Sequence, residues 1–241
     1  MCLGRKTKAD WGLDSRADRL YTEAMRNWKI AGLILCILAA PGFANLITNG
    51  SFELGNPSFN VYGFQSLSAP DNFTITGWTV SAGSVDYIGP YWQAAHGQRS
   101  LDLAGLYYNG TIYQTFPTTP GTPYQVTFAL AGNPDVQPRT TSVQVWVSDG
   151  STVFDSAVFN YTVNGQTRTS MGWVYVSWTF TAQSALTTLG FTGQDTYNDP
   201  TWAYSFGPAL DDVSVTAIPE PATLALVGLG LIAAGFLRRR R

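Results

Sequence analysis

The stretch T-P-Y-Q-V-T-F-A-L-A-G, Thr122 to Gly132, decides the fold. Alternate positions put Tyr124, Val126, Phe128 and Leu130 on one face. That is the two-residue period of a half-buried strand, not the 3.6-residue period of a helix. Moving outward, Thr141 to Asp149 groups Val143, Val145 and Val147, with Gln144, Trp146 and Ser148 opposite. Trp173 to Thr181 groups Val174, Val176, Trp178 and Phe180. Further strands are expected at Gly77 to Val80, Ser84 to Ile88, Arg99 to Ala104, Gly110 to Phe116, Ala185 to Gly190 and Ala209 to Thr216. No segment of this region keeps a helical period and no internal repeat is evident. The chain's 24 glycines and 13 prolines punctuate these runs. Aromatic and β-branched residues dominate, so the reading is an all-β sandwich of jelly-roll type.

Charge is distributed unevenly along the 241 residues. The formal net charge of −2 hides a basic beginning and end around an acidic middle. Residues 45–217 contain Arg99, Arg139 and Arg168 and no lysine. Against these stand Glu53, Asp71, Asp86, Asp102, Asp135, Asp149, Asp155, Asp195, Asp199, Asp211 and Asp212. A surface of this sign repels phosphates, which excludes nucleic acid as a partner. No G-x-x-x-x-G-K-[ST] stretch exists to cradle a nucleotide. Both cysteines, Cys2 and Cys36, precede the domain, so it holds neither a disulfide nor a thiolate metal site.

The two ends read as addresses. Residues 1–24 form a polar leader, consistent with translation starting at Met25. Residues 25–44 carry Arg26 and Lys29, the apolar run Ile30 to Ala40, then Pro41 and Gly42, with small residues at Gly42 and Ala44. This pattern is a secretory signal peptide for the Sec export machinery, cleaved after Ala44. Residues 218–241 carry Pro219, Glu220 and Pro221, an uncharged run from Ala222 to Leu237, and Arg238, Arg239, Arg240 and Arg241. The uncharged run would be about 24 Å long as a helix, enough for one transmembrane helix with local thinning. The arginines would hold their end on the cytoplasmic side.

The order Pro-Glu-Pro, apolar helix, arginine cluster resembles the PEP-CTERM sorting signal of exopolysaccharide-producing Gram-negative bacteria. That resemblance implies recognition and cleavage by the membrane protease exosortase, after transient anchoring in the inner membrane. The domain resembles the choice-of-anchor C family, related to the domain-of-unknown-function 642 proteins. The resemblance rests on N-L-I-T-N-G-S-F-E (Asn45 to Glu53), G-W-T-V (Gly77 to Val80) and G-S-V-D-Y-I-G (Gly83 to Gly89). It continues through W-Q-A-A-H-G-Q-R-S-L-D-L-A-G (Trp92 to Gly105), Y-Q-V-T-F-A-L-A-G-N-P (Tyr124 to Pro134) and G-P-A-L-D-D-V-S-V (Gly207 to Val215). It implies a galactose-binding-like β-sandwich, a fold found in many carbohydrate-binding modules.

Two groups of residues are candidates for chemistry. In A-L-D-D-V-S-V the two-residue period places Asp211 on the face of Val213 and Val215. If those valines are core, the carboxylate is buried and needs either a cation or several donors. Resemblance to jelly-roll sugar-binding modules implies a structural Ca²⁺ shared by Glu53 and Asp211, with Asp212 as the alternative ligand. The competing reading is that Asp211 pairs with Arg99 or accepts backbone hydrogen bonds. The second group is aromatic. Tyr91, Trp92, Tyr107, Tyr108, Trp202 and Tyr204 fall in loop-like stretches, and Trp146 lies on the polar face of its strand. Such rings stack on sugars while nearby Asp, Asn and Gln bind hydroxyls. Catalysis has little support: G-x-S-x-G is absent, and His96 is the chain's sole histidine. The resulting expectation is an exported, surface-sorted, non-enzymatic protein of the exopolysaccharide or biofilm matrix that binds extracellular polysaccharide. A structural matrix protein without sugar affinity and a polysaccharide-active enzyme are the alternatives.

Overall fold

Tyr124, Val126, Phe128 and Leu130 are all buried, as their alternation requires. The computed structural model describes residues 44–106, 108–196, 200–201 and 205–219, together with single helical positions at 228, 230, 231, 235 and 238. The leader and signal peptide before Ala44 therefore lie outside the described residues. So do Tyr107, Trp202, Tyr204, Glu220, Pro221, Arg239, Arg240 and Arg241. Among the described residues, no helix is long and apolar enough to cross a membrane. The chain divides into two compact units, Met1–Ala44 and Asn45–Arg241, and the second holds the strands and the candidate site.

Among its described residues, the second unit has thirteen strands. They are β1 (Phe64–Ser68), β2 (Thr79–Ala82), β3 (Ser84–Ile88), β4 (Ser100–Asp102), β5 (Ala104–Gly105), β6 (Tyr108–Asn109), β7 (Thr111–Pro117), β8 (Pro123–Gly132), β9 (Arg139–Ser148), β10 (Val153–Val163), β11 (Val174–Thr181), β12 (Leu186–Gly193) and β13 (Pro208–Ala217). One sheet has the order β1-β3-β4-β13-β8-β11 and the other β10-β9-β12-β7-β2, while β5 and β6 pair separately. Every pairing between these strands is antiparallel. Non-sequential neighbours in both sheets give the interleaved connections of a β-sandwich.

The core lies between the two large sheets. Its centre is a run of rings: Phe52 to Trp78 at 5.3 Å, Trp78 to Phe191 at 6.3 Å, and Phe191 to Phe128 at 5.3 Å. Tilted and edge-on contacts of this kind add to area burial because ring edges are positive and faces negative. Val143, Val145 and Val147 of β9 complete the inner face opposite β8.

Three features depart from the sequence reading. The single strand expected over Arg99 to Ala104 is split into β4 and β5. The break is made by Asp102, whose Oδ1 accepts from Ala104 N, while Leu103 N turns to Pro208 O. Strands β1, β6 and β10 are additional to the expected set. Each lies at a sheet edge. In β1 only Leu67 is buried, and β10 alternates in burial but carries the apolar Val158 on its exposed face. The third departure concerns Asp211. A bulge between Asp211 and Ser214 inserts one extra residue, with Asp212 at φ 46°. Leu210, Val213 and Val215 all pack inward, and Asp211 aligns with Ala129 on the outer face. Asp211 therefore does not share the face of Val213 and Val215. It is buried because a loop covers it from outside.

Candidate functional site

The opening motif N-G-S-F-E works through its turn. Asn49 has φ 56°, a conformation that asparagine tolerates better than most residues. Its side chain clamps the turn, with Nδ2 donating to Leu54 O and Thr76 O and Oδ1 accepting from Leu54 N. This drives Phe52 into the core and aims Glu53 at the turn formed by Ala95 to Arg99. There Glu53 Oε1 accepts from Gln98 N and Arg99 N, both at 2.8 Å. Gly97 has φ 69°, and a Cβ on it would meet Glu53 Oε1 at 2.4 Å. From the other side Asp211 Oδ2 accepts from Ala95 N at 2.8 Å and His96 N at 2.9 Å, and Oδ1 from Asp212 N. Two carboxylates thus hold one turn by its amides, tying the opening segment and β13 to the loop after β3.

This geometry tests the calcium expectation. Ca²⁺ is held by six to eight oxygens facing it. Here both oxygens of Asp211 and one of Glu53 face N–H donors, and Asp212 Oδ2 accepts from Tyr175 Oη–H at 2.8 Å. Among the described residues no group of three or more Asp, Glu, His or Cys could hold a metal. The donor set around Glu53, Asp211 and Asp212 does not fit the ion. Chelation with EDTA is expected to leave the thermal midpoint unchanged; a fall of several degrees would return calcium to this turn.

The same loop, from Gly89 to Gln98, folds across the outer face of the six-stranded sheet and closes one end of a cavity. It is held there by Gly89 N to Gly63 O, Gln93 N to Arg168 O, and Trp173 Nε1 to Gln93 O. The cavity beside it has a volume of about 570 Å³. Its floor comes from the register row Ser66–Asp86–Asp102, across β1, β3 and β4. Tyr62, Phe64, Ile88, Tyr91 and Trp92 form one wall, and Leu106, Ser205 and Phe206 another. Asn133, Asp135 and Arg168 complete the lining.

The floor carboxyls are unusual. Ser66 Oγ–H donates to Asp86 Oδ1, yet burial still pushes the Asp86 carboxyl up to about 6. Asp102 is fully buried and is raised well above the ordinary carboxylate range, first by burial and then by the charge of Asp86. Ala104 N and Gly207 N donate to its Oδ1, and Asn133 Nδ2 to its Oδ2. At the rim, the Arg168 guanidinium lies 4.0 Å above the Tyr91 ring and donates to Asp135 Oδ1 at 2.8 Å. Tyr91 Oη–H donates to the other Asp135 oxygen, and Arg168 donates to Tyr91 Oη. Burial and the neighbouring Asp135 carboxylate raise the Tyr91 hydroxyl above its ordinary range.

The structure brings together only part of the aromatic set read from sequence. Tyr91 is at the rim. Trp92 is only 4% exposed, with its indole N–H on Ser100 Oγ, so it is a fixed wall and not an open platform. Tyr108 is 63% exposed on β6, outside the cavity lining. Trp146 lies on the outer face of the other sheet, where Gly190 leaves room for its ring: a Cβ there would come within 2.1 Å of it. Its Nε1 donates to Thr192 Oγ1. Tyr62, Phe64, Asp86, Asp102, Asn133, Asp135, Arg168 and Phe206 also belong to the cavity, and sequence reasoning does not single them out.

An all-β sandwich with an aromatic-walled, carboxyl-floored cavity on one outer sheet face defines the class. The chain belongs to the family described as "Protein of unknown function (DUF642)", whose model matches residues 45–216. Residues 217–241 match the PEP-CTERM protein-sorting motif, which marks an exported exosortase substrate. Halomucin of Haloquadratum walsbyi is 33% identical over 183 residues, covering 75% of this chain. The chain spans 2% of the length of that relative. Among solved structures, TmCBM61 in complex with β-1,4-galactotriose is similar at 13% identity and a TM-score of 0.44, covering 73% of this chain and 99% of that one. The CBM22-1 xylan-binding domain from Paenibacillus barcinonensis is similar at 15% identity and 0.43, covering 76% and 99%.

Proposed function

We propose that this protein is a surface-sorted carbohydrate-binding module of the exopolysaccharide matrix of a Gram-negative bacterium. In this reading the Sec machinery exports it, its C-terminal segment anchors it in the inner membrane, and exosortase processes that segment. The observation that carries the binding role is the cavity. Rings line its wall, hydrogen-bonding carboxyls and amides line its floor and rim, and its volume suits one or two sugar units. Aromatic faces accept sugar C–H groups while Asp86 and Asp135 are within the same lining to take hydroxyls.

The reading is tested by affinity electrophoresis and calorimetry of the full-length chain against a panel of polysaccharides, alongside Tyr91→Ala. Removing the Tyr91 ring takes away one wall and the support of Arg168. Affinity is expected to fall about tenfold, the order of a lost stacking contact. Retardation by no polysaccharide would favour a matrix protein that acts through protein contacts. An enzymatic role has one observation in its favour, the direct opposition of Asp86 and Asp102 across β3 and β4. Against it, amide donors occupy both oxygens of the fully buried Asp102. Reducing-sugar release that is lost in Asp86→Asn would establish catalysis.

A further inference from the structure

We propose that the cavity prefers sugars bearing a protonated primary amine, that is hexosamine units with a free ammonium group, over neutral and anionic sugars. This rests on the carbohydrate-binding reading above. Its basis is a pair of carboxyls lining one cavity with, among the described residues, no arginine hydrogen-bonded to either. Asp86 and Asp102 face each other across neighbouring strands at the floor. Among the described residues only Ser66 donates to Asp86, through one of its two oxygens. The domain has three arginines and no lysine to set against them. Arg139 is committed to Asp195, and Arg168 to Asp135 and Tyr91. Arg99 packs against the rings of Tyr87 and Phe59 and donates to Tyr87 Oη.

A uronic acid or sulfated sugar would therefore add negative charge beside these carboxyls. An ammonium would do the opposite. It would form charge-assisted hydrogen bonds with Asp86 and relieve its repulsion with Asp102. The Phe64 ring, in the same lining, would attract the cation further through its electron-rich face.

The test compares one pair of ligands on one protein. Glucosamine oligosaccharides and their fully N-acetylated counterparts are titrated by calorimetry into the full-length chain, near neutral pH and at physiological ionic strength. The free-amine oligomer is expected to bind at least about tenfold tighter, the order of a charge-assisted contact. In Asp86→Asn the ratio of the two affinities is expected to fall to within about twofold. Because the readout is a ratio within each variant, partial loss of active protein does not move it. Equal or tighter binding of the acetylated oligomer overturns the proposal, and so does a preference that survives Asp86→Asn, which would trace to the domain's overall negative charge. Binding of neutral oligosaccharides that depends on Tyr91 without any amine preference defeats this inference and leaves the carbohydrate-binding reading standing. Failure of every oligosaccharide to bind defeats both.

Discussion

Arg139→Ala is expected to destabilise the domain by about 3–5 kcal/mol, the cost of breaking a buried ion pair. Arg139 opens β9 and donates to Asp195, which follows β12; their side chains are 6% and 1% exposed. Truncation removes one member of a buried ion pair, which costs more than the net value of the pair. Asp195 is also tied to Asn109 through both backbone groups, so it cannot easily swing out to water. The same arginine lowers the proton affinity of Asp102 through space, so its removal should raise that affinity further. Urea denaturation should show a lower midpoint with an unchanged slope, and the thermal midpoint should fall by about 10 °C. Replacing both partners by apolar residues, Arg139→Met with Asp195→Leu, should cost less than either single truncation. A double variant as unstable as the summed singles would show that the two side chains contribute independently, with no coupling across the pair.

Much of this fold is legible locally because alternation is local. The strand expected over Ser84 to Ile88 is found at those bounds. In β8 the four apolar positions on one face all reach the core. Edge strands escape because only one flank and one face are covered, which lets polar and apolar residues mix, as at Val158 and Asn160. A periodic reading puts Asp211 on the wrong face because periodicity assumes one residue opposite one. The bulge puts Asp212 and Val213 opposite Phe128, and every later side chain changes face. Two consecutive aspartates within a strand are a signal of this, since Asp tolerates positive φ better than β-branched neighbours do.

The site is harder to read, for a physical reason. Ser66, Asp86, Asp102 and Asn133 are far apart in the chain and become neighbours only through the register of β1, β3, β4 and the turn after β8. A polar residue on the outer face of a strand looks the same in sequence whether water or a folded-back loop lies above it. Trp92 shows the converse. A tryptophan in a loop reads as an exposed ring, but this loop returns to the sheet and buries it against Ser100. The link between Glu53 and Asp211 is readable as a tie from the opening segment to the last strand. Its partner, the amides of one turn, is not.

That turn leads to an unusual expectation for pH. Many acid-sensitive proteins lose stability as carboxylates protonate; this domain should gain it. Asp211 is fully buried, and burial outweighs its three amide donors and lifts its carboxyl from 3.8 to about 7. Asp86 rises to about 6, and Asp102 is raised as well. In each case the folded protein keeps a proton that the unfolded chain releases above 3.8. Between these limits the native state binds more protons than the unfolded state, so stability falls as pH rises. The contribution is complete below the unfolded value and is lost as pH climbs through about 6 for Asp86 and 7 for Asp211. The thermal midpoint should therefore be highest on the mildly acidic side and drop on the order of 5 °C or more toward pH 8. Asp211→Asn isolates the effect. Its amide oxygen can still accept from Ala95 N and His96 N, but its NH₂ meets the N–H of Asp212 where an oxygen now accepts. The variant should be less stable than the native protein at pH 5 by about 1–3 kcal/mol, the cost of donors left without an acceptor. As the native carboxyl ionises toward pH 8, the gap should close. Parallel stability curves for the two proteins would mean that Asp211 is ionised throughout, with its amide donors outweighing burial.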